Sequence, residues 1–94
     1  MLVIEYVGPG CVTLSGRFDA SETDHALAAL SRISESAVAD CSGLEYISSA
    51  GIGVLVHTCR RLHDLGHSFR LSNVTPRVRN VFRYAGLSGL FGIE

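Results

Sequence analysis

Two adjacent hydroxyls, Ser48 and Ser49, stand in the stretch "EYISSAGIGVL", with only Ala50 and Gly51 between them and an apolar run. Where a strand end turns into a helix, the first N–H groups lack acceptors and the helix dipole leaves a partial positive charge. A serine there ordinarily accepts one of those hydrogen bonds as an N-cap. One cap needs one hydroxyl, and this stretch has two. Ser49, Gly53 and His57 recur at four-residue spacing and so share one helix face, with Ala50 and Val54 flanking it. Gly53 costs roughly 1 kcal/mol of helix propensity relative to Ala, a cost better tolerated where another backbone approaches closely. The alternative is packing of Gly53 against the sheet. A helix mouth favours an anion. A phosphate on one of these serines would therefore leave the fold intact, add roughly two negative charges, and change what can dock on that face.

The other candidate chemistries are thin. Cys59 with His57 or His63 would make a nucleophile pair, but Cys59 falls on the apolar stripe of its helix and reads as a small buried hydrophobe. His57 and His63 are six apart, face different ways on a helix, and are poor joint metal ligands. His25 and His67 are isolated. The glycines of "GIGVLVHTCRRL" are not a phosphate cradle, because the chain has no Lys to complete a Walker pattern. Glu5, Glu22, Glu35 and Glu45 are scattered. No catalytic residue, metal site or cofactor is expected.

The elements that must position the serines follow from pattern. "MLVIEYVGPGCVTLSG" reads as a hairpin around a Gly-Pro-Gly turn, its second strand ending at Gly16. In "RFDASETDHALAALSRI", Asp19, Ser21 and Thr23 are possible N-caps, and Ala26, Leu27, Leu30 and Ile33 form one helical face. "AVADCSG" is a short central strand. "SAGIGVLVHTCRRLHDLG" is the second helix, with Ile52, Leu55, Val56, Cys59 and Leu62 as its core stripe and Gly66 at its end. "HSFRLSN" is a strand. "TPRVRNVFRYAG" is a helix capped by Thr75, opened by Pro76 and closed by Gly86, with Val78, Val81, Phe82 and Ala85 buried. "LFGIE" is a last short strand or a tail. The order β-β-α-β-α-β-α predicts an α/β fold. Its mixed sheet of four or five strands is parallel in the centre, with an antiparallel edge from the hairpin.

Bulk properties agree with one folded domain over residues 1–94. The 94 residues are 47% hydrophobic and carry a net charge of −1, which suggests neither a nucleic-acid nor a membrane-surface role. All eight basic residues are Arg. Met1 leads straight into a strand-like run, so no signal peptide is expected. No apolar stretch is long enough for membrane insertion. Cys11, Cys41 and Cys59, odd in number and widely spaced, point to reduced thiols in a cytosol.

"DCSGLEYISSAGIGVL" resembles the signature of the STAS domain of bacterial anti-sigma factor antagonists: a strand ending in Asp-x-Ser, a hydrophobic pair, then Asp/Ser-Ser-Ser/Thr/Ala-Gly opening a helix. Asp40, Ser42, Tyr46, Ile47, Ser48, Ser49, Ala50, Gly51 and Ile52 match it. "LSGRFDASET" is similar to the family's Gly-Glu-hydrophobic-Asp segment through Gly16, Phe18 and Asp19, with Arg17 where the family carries Glu. "SNVTPRVRNVFRYAGLSGLF" is similar to its third helix and following Gly-Leu. The resemblance implies a partner switch. The unphosphorylated antagonist binds an anti-sigma factor that is also a serine kinase of the histidine-kinase-like ATPase type, and so frees a sigma factor. The kinase phosphorylates one serine of the antagonist, and a PP2C-type phosphatase reverses this. The accepting serine maps to Ser49, with Ser48, which stands where the family most often has Asp, as second choice. The resemblance thus implies a partner-binding face of Asp19, Asp40, Ser48, Ala50, Gly51, Gly53, Val54 and His57. Asp19 and Asp40 are expected at the same end of the sheet. Helix capping by Asp19 and turn capping by Asp40 are their alternative roles. Arg17 is expected to alter which partner is accepted. STAS-like chains also serve as unphosphorylated scaffold subunits of ABC-type lipid transporters and of stress-signalling assemblies, which is the second functional expectation.

Overall fold

A computed structural model describes residues 1–87. Alternating apolar residues around the Gly-Pro-Gly turn form an antiparallel hairpin of β1 (Leu2–Gly8) and β2 (Cys11–Phe18). A short 3-10 turn (Ala20–Glu22) leads into α1 (Thr23–Leu30). Then come β3 (Ala37–Ile47), α2 (Ser49–Asp64), β4 (Phe69–Ser72) and α3 (Pro76–Tyr84). The sheet order is β1-β2-β3-β4, with β2-β3 and β3-β4 parallel. The expected mixed sheet is therefore present, with four strands among the described residues, and the hairpin supplies its antiparallel edge. The "LFGIE" segment lies outside the described residues.

One face of the sheet builds the core. Leu2, Val12, Leu14, Phe18, Ala39, Phe69 and Leu71 point into it, joined by Ala26 and Leu30 of α1, Leu55 and Leu62 of α2, and Val78 and Phe82 of α3. The opposite face carries Val3, Val38, Ser42 and Arg70, all exposed. The helices thus form one layer over one side of the sheet. Burying each large aliphatic or aromatic side chain stabilises the fold by roughly 1.5–3 kcal/mol.

Strand β3 is longer than the sequence pattern implies, because it contains two bulges. Its buried residues are Ala37, Ala39, Cys41, Leu44 and Ile47, so the spacing changes from two to three after Cys41. The pairing register slips at the same two places: Thr13 faces Asp40 while Ser15 faces Gly43, and Gly16 faces Leu44 while Arg17 faces Tyr46. Each bulge adds one residue to β3 and flips the phase of its side chains. Gly43 is required at the first bulge, since a Cβ there would stand 2.8 Å from the Cβ of Ser15. The same register carries β2 on to Phe18, two residues past the expected end at Gly16.

The helices differ from expectation in detail. Leu27 is 39% exposed, and Ile33 is buried beyond the end of α1. In α2 the buried stripe is Gly51, Ile52, Val54, Leu55, Thr58 and Leu62, while Val56 and Cys59 are only half-buried. Thr58 is accommodated in the core because its hydroxyl donates to the carbonyl of Val54 at 3.0 Å. Helix α3 has Thr75 as its cap, accepting from the Val78 amide at 3.4 Å, and Pro76 at its start. Ala85 lies just past its last residue and is exposed, not buried as the periodicity suggests.

Candidate functional site

The two serines part company at the mouth of α2. Ser48 is the N-cap: its backbone is extended and its Oγ accepts from the Gly51 amide at 3.0 Å. Its carbonyl accepts from the Ile52 amide at 2.9 Å, and its own amide donates to the Phe18 carbonyl at 2.9 Å. Ser48 is thereby fastened to both helix and sheet. Ser49, the next residue, is exposed, and its hydroxyl has no hydrogen-bond partner among the described residues. The amides of Ser49 and Ala50 open the first turn, where a helix has no internal acceptors to offer. An anion at Ser49 would meet these donors and the positive end of the helix dipole.

Gly51 sets the position of this mouth. A Cβ there would lie 2.9 Å from Ile47 Cγ1 and 2.9 Å from Phe18 Cδ1. The helix packs flush on the strand ends only because that side chain is missing. Gly51 is therefore buried and faces inward, in contrast to its expected place on the docking face. Val54 requires the same correction: it is 5% exposed and belongs to the core. The apolar stripe of α2 is wider than the sequence pattern implies, and it takes in the position after Gly53.

Gly53 and His57 are exposed, on the same side of the helix as Ser49, and Ala50 is half-buried beside them. A Cβ on Gly53 would meet nothing within 4 Å, so packing against the sheet does not explain this glycine.

Asp19 and Asp40 are not neighbours. Asp19 follows the last residue of β2, beside Ser48. Asp40 pairs with Thr13, six residues before Asp19, which is about 20 Å at the usual strand rise. The two bulges of β3 make the chain between Asp40 and Ser49 longer than a short strand and turn would be. Asp40 Oδ1 accepts from the Ser42 amide at 2.9 Å and from Asn73 Nδ2 at 3.3 Å. The Ser42 amide bond, first among the causes, holds its carboxyl below the ordinary value near 3.8. The Asp-x-Ser motif is thus a structural clasp on the first bulge. Asp19 makes no side-chain cap bond to the 3-10 turn, and its carboxylate lies 3.8 Å from Arg17 Nη2.

Arg17 and Tyr46 form a pair that sequence pattern does not reveal. The Arg17 guanidinium stacks 4.5 Å from the Tyr46 ring centroid. Both residues sit at the strand ends that carry Ser48, and both are exposed. Only the β2-β3 register, slipped by the second bulge, brings them together. Arg60, three residues beyond His57, is exposed on α2.

Nucleophile chemistry finds little support. Burial, with the charge of Asp40 adding to it, pushes the Cys41 thiol up to about 12. Burial also raises that of Cys59, with Arg60 partly opposing it. A thiol raised in this way is a poor nucleophile at neutral pH. His57 and His63 are exposed on α2. Among the described residues no three His, Cys, Asp or Glu side chains are grouped to hold a metal ion. No described helix is long and apolar enough to cross a membrane.

A single layer of helices on one side of a mixed four-stranded sheet places the described residues in the α/β class. The chain belongs to the STAS family: the family model described as "Mlab, STAS domain" matches residues 7–92. This is a regulatory, non-enzymatic family. Among solved structures, the anti-sigma factor antagonist SpoIIAA in its unphosphorylated form is similar, with a TM-score of 0.77 and 22% identity over 100% of this chain and 88% of that one. An anti-sigma factor antagonist from Mycobacterium paratuberculosis gives a TM-score of 0.81 at 22% identity, covering 99% of this chain and 83% of that one. A sulfate transporter family protein from Wolinella succinogenes gives 0.74 at 18% identity, covering 95% and 80%. None of the curated proteins matches the sequence. At these identities the structural likeness establishes the fold, a STAS domain with anti-sigma factor antagonists among its structural neighbours.

Proposed function

We propose that this chain is a cytoplasmic anti-sigma factor antagonist switched by phosphorylation of Ser49. In its unphosphorylated form it docks on an anti-sigma factor that is also a serine kinase of the histidine-kinase-like ATPase type, and a sigma factor is released. The kinase transfers the terminal phosphoryl group of its own ATP to Ser49 Oγ. The hydroxyl proton is lost, ADP leaves, and the complex separates. A PP2C-type phosphatase hydrolyses the phosphoserine and restores the docking form.

The observation that carries this reading is the division of labour at the α2 mouth. Ser48 is used by the fold, whereas Ser49 is exposed and its hydroxyl has no hydrogen-bond partner among the described residues. Phosphorylation of Ser48 would have to act on an oxygen already engaged by the Gly51 amide, at a residue whose backbone is tied to both helix and sheet. A phosphate on Ser49 sits where a helix welcomes negative charge, worth about 0.3–1 kcal/mol at an exposed helix end. The favoured acceptor is thus the residue whose modification leaves the domain folded and alters only its surface. Asp19, Ala50, Gly53 and His57 remain as the docking face, with Arg17 and Tyr46 at its edge.

The test is to incubate the protein with ATP and candidate ATPase-type kinases and locate phosphate by mass spectrometry. Phosphate on Ser49, and loss of kinase binding in Ser49→Asp, is the expected result. Labelling of Ser48 alone, or a Ser49→Asp variant that binds as well as wild type, overturns the switch. A constitutive scaffold role, as in a transporter complex, is the second reading. The likeness to a sulfate transporter family protein favours it. On that reading Ser49 is never labelled and its substitution by Ala or Asp leaves partner binding unchanged.

A further inference from the structure

We infer that the exposed face of α2 beyond Ser49 receives an acidic, helix-forming segment of the partner, and that phosphate on Ser49 expels it by charge repulsion. The second half rests on the switch proposed above; the first half stands on the groove alone.

A groove of about 470 Å³ runs along this face, lined by Gly53, Val56, His57, Arg60, Arg61 and Asp64. All six lie on one stripe of the helix, spaced by three and four residues. Three features indicate what fits it. First, Gly53 lacks a side chain although its own fold leaves the space open, with nothing within 4 Å of a Cβ. A mid-helix glycine costs roughly 1 kcal/mol relative to Ala, and the space it clears is useful only to something lying on the backbone. Second, the charge is locally inverted. Arg60 and Arg61 stand on this stripe with one carboxylate, Asp64, on a chain whose net charge is −1. Arg60 is exposed and has no carboxylate within 4.0 Å among the described residues. Arg61 is tied to α1, donating from Nη2 to the Leu30 carbonyl at 3.0 Å, which leaves Arg60 as the more available cation. The helix dipole accounts for cations in the last turn. It does not account for the cleared backbone one turn after Ser49. Third, half-buried Val56 adds an apolar patch to this face. A cationic side chain, an apolar patch and an accessible backbone on one open helix face suit an amphipathic helix with carboxylates on its flanks.

Ser49 stands one turn before Gly53, at the open end of this stripe. A phosphate there brings roughly two negative charges. Within the screening length of about 8 Å at physiological salt it repels a neighbouring acidic segment.

The test uses the ¹⁵N-labelled full chain and two synthetic amphipathic peptides, one of Leu, Ala and Glu and its Lys-for-Glu twin. The Glu peptide is expected to move the amide resonances of Gly53, His57, Arg60 and Arg61, more strongly at low salt, while the Lys peptide leaves them in place. Arg60→Glu should weaken Glu-peptide binding by about tenfold, as for a reversed interfacial charge. Gly53→Leu should abolish binding without lowering thermal stability, and Ser49→Asp should weaken it several-fold. Equal shifts with the Lys peptide, shifts confined to other surfaces, or unchanged affinity in Arg60→Glu overturn the inference. If a kinase labels Ser49 while the Glu peptide ignores the groove, this inference falls and the switch stands. If the Glu peptide fills the groove and Ser49 is never labelled, the groove stands and expulsion by phosphate falls with the switch.

Discussion

The amide of Gly51 donates to Ser48 Oγ at 3.0 Å, and this bond gives two neighbouring serines different roles. Ser48 serves the fold and is unavailable to a partner without cost. Ser49 contributes no bond of its own side chain among the described residues. In urea denaturation, Ser48→Ala should therefore lose about 1 kcal/mol, the usual value of an N-cap. Ser49→Ala should stay within about 0.5 kcal/mol of wild type, as exposed substitutions do. Equal losses at the two positions would contradict the assignment of the cap.

Gly51 and Gly53 are two residues apart and should respond to alanine in opposite directions. At Gly51 the new methyl meets Ile47 and Phe18 at 2.9 Å, and Phe18 is fully buried. Overpacking of this kind costs about 1–3 kcal/mol, which exceeds the gain in helix propensity. At Gly53 the methyl enters open space, so Gly53→Ala should raise stability by roughly 0.5–1 kcal/mol. Thermal melts of the two variants decide the matter, and a loss at Gly53 would show that its backbone is needed by the fold.

Asp40 gives the domain a defined acid response. The Ser42 amide, then the Ser42 side chain and Asn73, favour the ionised carboxylate in the folded state. A lowered folded pKa means that this contribution is complete above the ordinary value near 3.8 and fades as pH falls through the lowered one. The difference in stability between wild type and Asp40→Asn should therefore be constant at neutral pH and shrink on acidification. A difference that grows as pH falls would reverse the sign of the linkage and refute the clasp.

Arg17 and Tyr46 should be energetically coupled. A double-mutant cycle with Arg17→Ala and Tyr46→Ala is expected to give about 0.5–1 kcal/mol, the value of an exposed cation–π contact. The Arg17–Asp19 ion pair, at 3.8 Å with both side chains substantially exposed, should add little to stability. A cycle energy indistinguishable from zero would mean that Arg17 does not rest on the ring in solution.

Local chemistry made much of this domain legible in the chain itself. Capping by Thr75, the proline that opens α3, the Gly-Pro-Gly turn and the alternation of β1 and β2 act over a few residues, so their sequence signals survive intact. The serine pair was legible as a helix mouth for the same reason. Its division into cap and free hydroxyl was not, since either serine has the chemistry of a cap and the choice depends on where the helix is docked. Docking is governed by the approach of Gly51 to Ile47 and Phe18, a contact across three separate elements.

The sequence by itself determined the element order, the mixed sheet and the position of the hydroxyl-bearing helix mouth, because turns, caps and hydrophobic periodicity are short-range. Tertiary structure alone decided which residues around the helix mouth face outward. Two bulges in β3 rephase its side chains, move Asp40 away from Asp19 and set Tyr46 beneath Arg17. Val54 enters the core because the layer above the sheet covers more of α2 than the apolar stripe implied. A bulge changes register by one residue without leaving a residue type that announces it, so its consequences appear only once the strands are paired.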